Sequence, residues 1–92
     1  MYEYLVNTRA NQEWFDMACK AVEKTRKDIQ NKESITDVDG SEIMVYTVTQ
    51  GEIAVYNDYY FDEVYIKADV ELRLGALEID LKTHKRKSGN PF

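Results

Sequence analysis

Cysteine, proline, tryptophan and histidine each occur once in these 92 residues. A lone cysteine, Cys19, cannot close an intrachain disulfide, so packing and hydrogen bonds must hold the fold. A small domain without disulfides fits a reducing compartment, and a cytoplasmic protein is expected. The single histidine, His84, lies in a basic stretch near the C-terminus. A Cys–His or Ser–His–Asp machine built there would lack orientation. The four glycines form neither a phosphate-cradling loop nor a dinucleotide fingerprint. Paired CxxC motifs and RNA-binding aromatic signatures are missing as well. Long apolar runs are absent: the longest uncharged stretch, Ile43 to Gly51, falls far short of the ~20 residues that span a bilayer. Glu3 stands where a signal peptide would carry basic residues, and no apolar segment follows it.

Positive charge is scarce in the middle of the chain. Between Glu33 and Asp80 there are twelve carboxylates and two cations, Lys67 and Arg73, so this block carries −10. The first 32 residues sum to +1 and the last twelve to +4, within an overall −5. The pI near 4.8 excludes the basic footprint of a DNA-binding domain. Most aromatics share the acidic block: Tyr46, Tyr56, Tyr59, Tyr60, Phe61 and Tyr65. A negative surface bearing tyrosines repels nucleic acid and attracts basic proteins.

What is plentiful is patterned apolar sequence, 43% of the chain, which suffices for one core. Tyr2, Tyr4 and Val6 alternate with Glu3 and Leu5, so residues 1–7 predict a strand. Asn11 is a good N-cap, and Glu13 suits the first turn of a helix running to about Asn31. Its stripe is Trp14, Phe15, Ala18, Ala21, Val22, Thr25 and Ile29. Asp16–Lys20, Glu23–Lys27 and Asp28–Lys32 are spaced for ion pairs on the other face. Residues 30–41 read as a polar loop ending in an Asp39-Gly40 turn. Ile43–Thr49 and residues 52–57 predict a hairpin about Gln50-Gly51, with Val48 opposite Ile53 and Tyr46 opposite Val55.

Val64, Ile66, Ala68, Val70, Leu72 and Leu74 alternate, then the parity flips to Leu77, Ile79 and Leu81. A turn at Gly75-Ala76 explains the flip and predicts a second, longer hairpin. A helix from 68 to 82 is the rival reading. The expected class is α+β: one amphipathic helix, about 11–31, packed on a four- to five-stranded, mostly antiparallel sheet. Residues 1–82 form the single domain and 83–92 a flexible basic tail.

Candidate sites follow from this layout. The outer face of the long hairpin carries Tyr65, Lys67, Asp69, Glu71 and Arg73, then Glu78, Asp80 and Lys82. Arg73 faces Glu78, but Glu71 faces Asp80, a like-charge pair. Those two acids are either solvated or held ready for a cation, a metal or a basic partner. Two carboxylates without a cleft do not make a glycosidase. Asp37-Val38-Asp39-Gly40 departs from a calcium loop, because the twelfth position, Val48, is apolar. Tyr59, Tyr60 and Phe61 cannot all enter one core from a strand, so at least one ring is expected at the surface. Trp14 and Phe15 are expected in the core, and Cys19 is expected to be a small buried hydrophobe. Lys82, Lys85, Arg86 and Lys87 form a basic cluster that is solvated, folds back on the acidic sheet, or meets a partner.

The expected function is a small, acidic, non-enzymatic binding protein. Tyr59, Tyr60, Tyr65, Asp69, Glu71, Glu78 and Asp80 would dock on a basic protein surface, such as a nucleic-acid channel. No direct DNA binding, membrane contact, metal or cofactor is expected. In size, charge and lack of motifs the chain resembles small acidic proteins that phages encode against host defence or transcription machinery. These include DNA mimics and anti-CRISPR inhibitors. The resemblance covers no alignable segment, and no residue role is carried over from it. It implies an inhibitor of a nucleic-acid-binding host protein. Two alternatives stand beside this one. A homo-oligomeric assembly protein would use a strand edge or the aromatic cluster. A small-ligand binder would place its tyrosines between protomers.

Overall fold

Alternation and the helical stripe together build an α+β fold of one helix on an antiparallel sheet. The computed structural model describes residues 1–74 and the backbone of Lys85 and Arg86. The elements are β1 (Tyr2–Asn7), α1 (Gln12–Thr25), β2 (Asn31–Thr36), β3 (Glu42–Val48), β4 (Gly51–Asp58), β5 (Glu63–Ala68) and β6 (Lys85–Arg86). The sheet order is β2-β3-β4-β5-β1-β6, with every neighbouring pair antiparallel. The two-residue β6 sits in the basic stretch and pairs Arg86 with Glu3.

Period-two patterning gives the sheet two faces. One presents Tyr4, Val6, Tyr46, Val48, Ile53, Val55, Val64 and Ile66, all buried under α1. The helix answers with Phe15, Ala18, Cys19 and Val22. Burying each such large apolar side chain contributes roughly 1.5–3 kcal/mol. Asn11 caps α1 as its sequence suggests, accepting the Trp14 N–H at 2.9 Å through its side chain.

Four expectations need correction. The helix stops at Thr25 rather than near Asn31, because Arg26 turns extended (φ −109°, ψ 123°). Its guanidinium forks onto Asp28 at 3.0 and 2.8 Å. The Gln30 N–H then reaches the Thr47 carbonyl at 2.8 Å. The Asp28–Lys32 pair is therefore not helical, and Lys32 bridges back to Glu23 at 3.1 Å instead.

Part of the polar loop, Asn31–Thr36, is a strand. All six residues are exposed, so no alternation of burial marks them. Backbone pairing with β3 holds them in place.

The first hairpin turns at Thr49-Gln50, two residues out of the expected register. Val48 pairs with Gly51 and Tyr46 with Ile53. A shift of two keeps each side chain on its face, so the apolar set still closes. Gly51 opens β4 at φ 141°, and a Cβ there would lie 2.5 Å from Asp69 Oδ2. Glu52 and Asp69 then exchange two 2.9 Å bonds, Glu52 N–H to Asp69 Oδ2 and Asp69 N–H to the Glu52 carbonyl.

The long hairpin does not form as expected. β5 ends at Ala68, and β4 and β1 already occupy its two edges, so no partner strand can join it. Residues 69–74 leave the sheet, yet Val70, Leu72 and Leu74 remain buried. The Leu72 N–H donates to the Tyr4 hydroxyl at 3.2 Å. The other arm of that hairpin, from Gly75 to Lys82, lies outside the described residues.

Candidate binding face

The second face of the sheet carries no helix among the described residues. Its register aligns Ile35, Ile43, Tyr56, Tyr65 and Leu5 in one row across β2, β3, β4, β5 and β1. The next row is Glu33, Val45, Ala54, Lys67 and Glu3. An apolar centre is thus flanked by acids. Glu52 and Asp58 lie on the same face of β4, and Glu63 pairs with Asp58 from β5. Among the described side chains, Lys67 is the one cation that strand register puts on this face. Contiguous apolar surface with a polar rim is the usual anatomy of an interaction site.

Two rings anchor the row. Tyr56 and Tyr65 stack with centroids 4.6 Å apart and planes 15° apart. The Tyr65 hydroxyl donates to Asp58 Oδ2 at 2.8 Å. Asp58 Oδ1 accepts the N–H groups of Tyr60 and Phe61 at 2.9 and 3.0 Å, so one carboxylate fixes both the stack and the turn after β4. The Lys67 ammonium sits 5.8 Å from each centroid, within cation–π reach. Burial and the carboxylates of Asp58 and Glu52 push the Tyr56 phenol upward, so it stays neutral.

The β2–β3 and β4–β5 turns meet at one end of this face. The Tyr59 ring lies 3.6 Å from the position a Cβ would take on Gly40, whose φ is 89°. The Tyr59 N–H donates to Ser41 Oγ at 2.9 Å. Ser41 N–H in turn donates to Asp39 Oδ1 at 2.8 Å, and hydrogen bonding from Ser41 holds the Asp39 carboxyl below its ordinary value. Between the turns lies a cavity of about 410 Å³, lined by Asp37, Asp39, Glu42, Ile43, Tyr56, Asp58, Tyr60 and Tyr65, among others.

The residues expected to act together are dispersed. Tyr59 and Tyr60 lie in the β4–β5 turn, with Tyr60 81% exposed. Tyr65 is on the outer face but only 8% exposed. Asp69 is at the opposite end of β4, bonded to Glu52. Exposed Glu71 lines a separate shallow site with Thr25, Arg26 and Arg73 beside the end of α1. Glu78 and Asp80 lie outside the described residues. Sequence reasoning did not single out Ile35, Ile43 and Leu5, because each belongs to the side of its strand opposite the core.

Cys19 is buried, and burial pushes its thiol up to about 11. The described residues hold no group of three or more His, Cys, Asp or Glu able to bind a metal. No helix among them is long and apolar enough to cross a membrane. No protein-family model, curated protein or solved structure matches the chain.

Proposed function

We propose that this protein is a non-enzymatic binder that docks its outer sheet face, the one away from α1, on a basic surface of another protein. The observation that carries this reading is the row Ile35–Ile43–Tyr56–Tyr65–Leu5, apolar at its centre and bordered by Glu3, Glu33, Glu52, Asp58 and Glu63. Aromatic anchors within an apolar centre supply affinity, and the charged rim steers encounter and selects partners. A surface that binds nucleic acid is the natural complement, because it must be basic. In that setting the protein acts as an inhibitor, in the manner of small acidic phage-encoded proteins and DNA mimics.

The test is titration against purified basic nucleic-acid-binding domains at low and high salt, with DNA as competitor. Expected are binding that weakens with salt, displacement by DNA, and loss on joint Glu33→Lys and Glu52→Lys substitution. Both acids are exposed, so the fold should survive. Unchanged binding by the double variant rejects this face.

A second reading has its own observation. β2 is an exposed edge strand of six residues without proline or bulge. Such an edge can pair with a second copy and make a homo-oligomer. A strict monomer in sedimentation at high concentration removes that reading.

A further inference from the structure

We propose that the cavity between the β2–β3 and β4–β5 turns receives one arginine side chain of the partner. This rests on the docking reading above and names the group that the outer face recognises. The cavity is walled by aromatic rings rather than by charge alone: Tyr56 and Tyr65 form the stack, and the exposed Tyr60 lines it too. Carboxylates of Asp37, Asp39 and Asp58 line the same space. Ring faces and carboxylates both favour a cation. A flat guanidinium can lie along a ring while its edge N–H groups reach carboxylate oxygens, which a compact ammonium cannot do at once.

An independent observation supports the choice of a cation. The same two rings already hold one, the Lys67 ammonium, at 5.8 Å from both centroids. Strand register puts Lys67 one row to one side of the stack and the Asp58–Glu63 pair one row to the other. The ring pair is therefore occupied at one end and opens to the cavity at the other. A volume of about 410 Å³ admits one long side chain and excludes a helix. Tyr60 meets Phe61 edge-on at 5.0 Å and is otherwise 81% exposed, which leaves its ring available to close over an entering group.

The test is amide and tyrosine-ring chemical-shift titration with three small probes: N-acetyl-arginine amide, N-acetyl-lysine amide and the neutral isostere N-acetyl-citrulline amide. Expected are shifts from the arginine probe confined to the cavity lining: Asp37, Asp39, Tyr56, Asp58, Tyr60 and Tyr65. Lysine should bind at least about threefold more weakly, and citrulline should give no saturable shift. Tyr60→Ala should weaken the arginine probe about five- to tenfold, the worth of one cation–π contact, while Tyr60→Phe keeps most of it. Equal binding of citrulline, equal binding of lysine, or shifts located elsewhere would overturn the proposal. The two levels separate in partner binding. If Tyr60→Ala leaves it intact while the Glu33/Glu52 reversal abolishes it, the arginine pocket fails and the docking face stands. If the reversal has no effect, the docking reading itself fails.

Discussion

Tyr56 and Tyr65, nine residues apart in sequence, face each other across β4 and β5 and stack at 4.6 Å on the side of the sheet away from the helix. This stacked pair does two things: it stiffens the strand pair, and the largely buried Tyr65 ring backs the half-buried Tyr56 ring, which is thereby ordered for contact. Replacing Tyr56 by Ala should lower stability by more than the ~0.5–1.5 kcal/mol that such a pair is worth beyond its area burial, because the half-buried ring is lost as well. The same change should weaken a bound basic partner at least about tenfold, as loss of an interface anchor does. Urea unfolding and partner titration on one variant read both effects. A large stability loss with unchanged affinity would make the stack purely structural.

The Tyr46 hydroxyl donates a 2.6 Å hydrogen bond to Glu23 Oε2, with the Cys19 carbonyl 3.3 Å away. This contact joins the first hairpin to the helix. Tyr46 is fully buried, and burial together with the Glu23 carboxylate drives its phenol far above its ordinary value. Glu23 is held below its ordinary value, chiefly by the Tyr46 hydroxyl. Tyr46→Phe keeps the ring and removes the bond. It should cost about 1–3 kcal/mol in urea unfolding, and the Glu23 pKa should rise. An unchanged Glu23 titration in carboxyl NMR would contradict the coupling.

Strong acid should loosen the chain just after the helix. The Arg26 guanidinium holds the Asp28 carboxyl at about 2, below its ordinary 3.8. A depressed folded-state pKa means that its contribution is complete above the unfolded value and fades as pH falls toward 2. Wild type should therefore exceed Asp28→Asn in thermal midpoint near pH 6, and the gap should shrink between about pH 4 and 2. The arrangement also includes the Thr49 N–H, 3.2 Å from Asp28 Oδ2, so the β3–β4 turn should loosen together with the helix end. A gap independent of pH would rule out the ion pair as its source.

Asp69 illustrates why an acidic residue near a sheet need not serve recognition. Its carboxylate accepts the Glu52 N–H and packs where Gly51 leaves no Cβ. Gly51→Ala combines a backbone angle unfavourable for alanine with a 2.5 Å clash, so it should destabilise by about 1–3 kcal/mol. Asp69→Asn should cost less, because an amide oxygen can still accept the bond. If Gly51→Ala were neutral in unfolding, the close approach would not be needed.

The core-facing half of the fold is legible in the sequence, because burial imposes a period. Phe15, Ala18 and Val22 mark one helix face, and Tyr46, Ile53 and Val55 mark one sheet face. Where burial and secondary structure part, the sequence misleads. Val70, Leu72 and Leu74 alternate like a strand because alternate residues are buried, yet β5 has no free edge to extend the pairing. Asn31–Thr36 forms a strand without any burial signal. The candidate site is least legible. Its row draws one residue from each of five strands, so only register assembles it. At least one of Tyr59, Tyr60 and Phe61 is expected at the surface, and all three reach it, but because β4 ends at Asp58 and they lie in a turn rather than because a strand alternates.

The most direct test of the account is chemical-shift mapping with an arginine-rich peptide of about ten residues, at moderate salt where long-range attraction is screened. Docking through the outer face should give saturable shifts clustered on Ile35, Ile43, Tyr56, Tyr65 and Leu5 and on the flanking Glu33 and Glu52. Shifts spread evenly to the exposed helix acids Glu13 and Asp16, or confined to them, would contradict it.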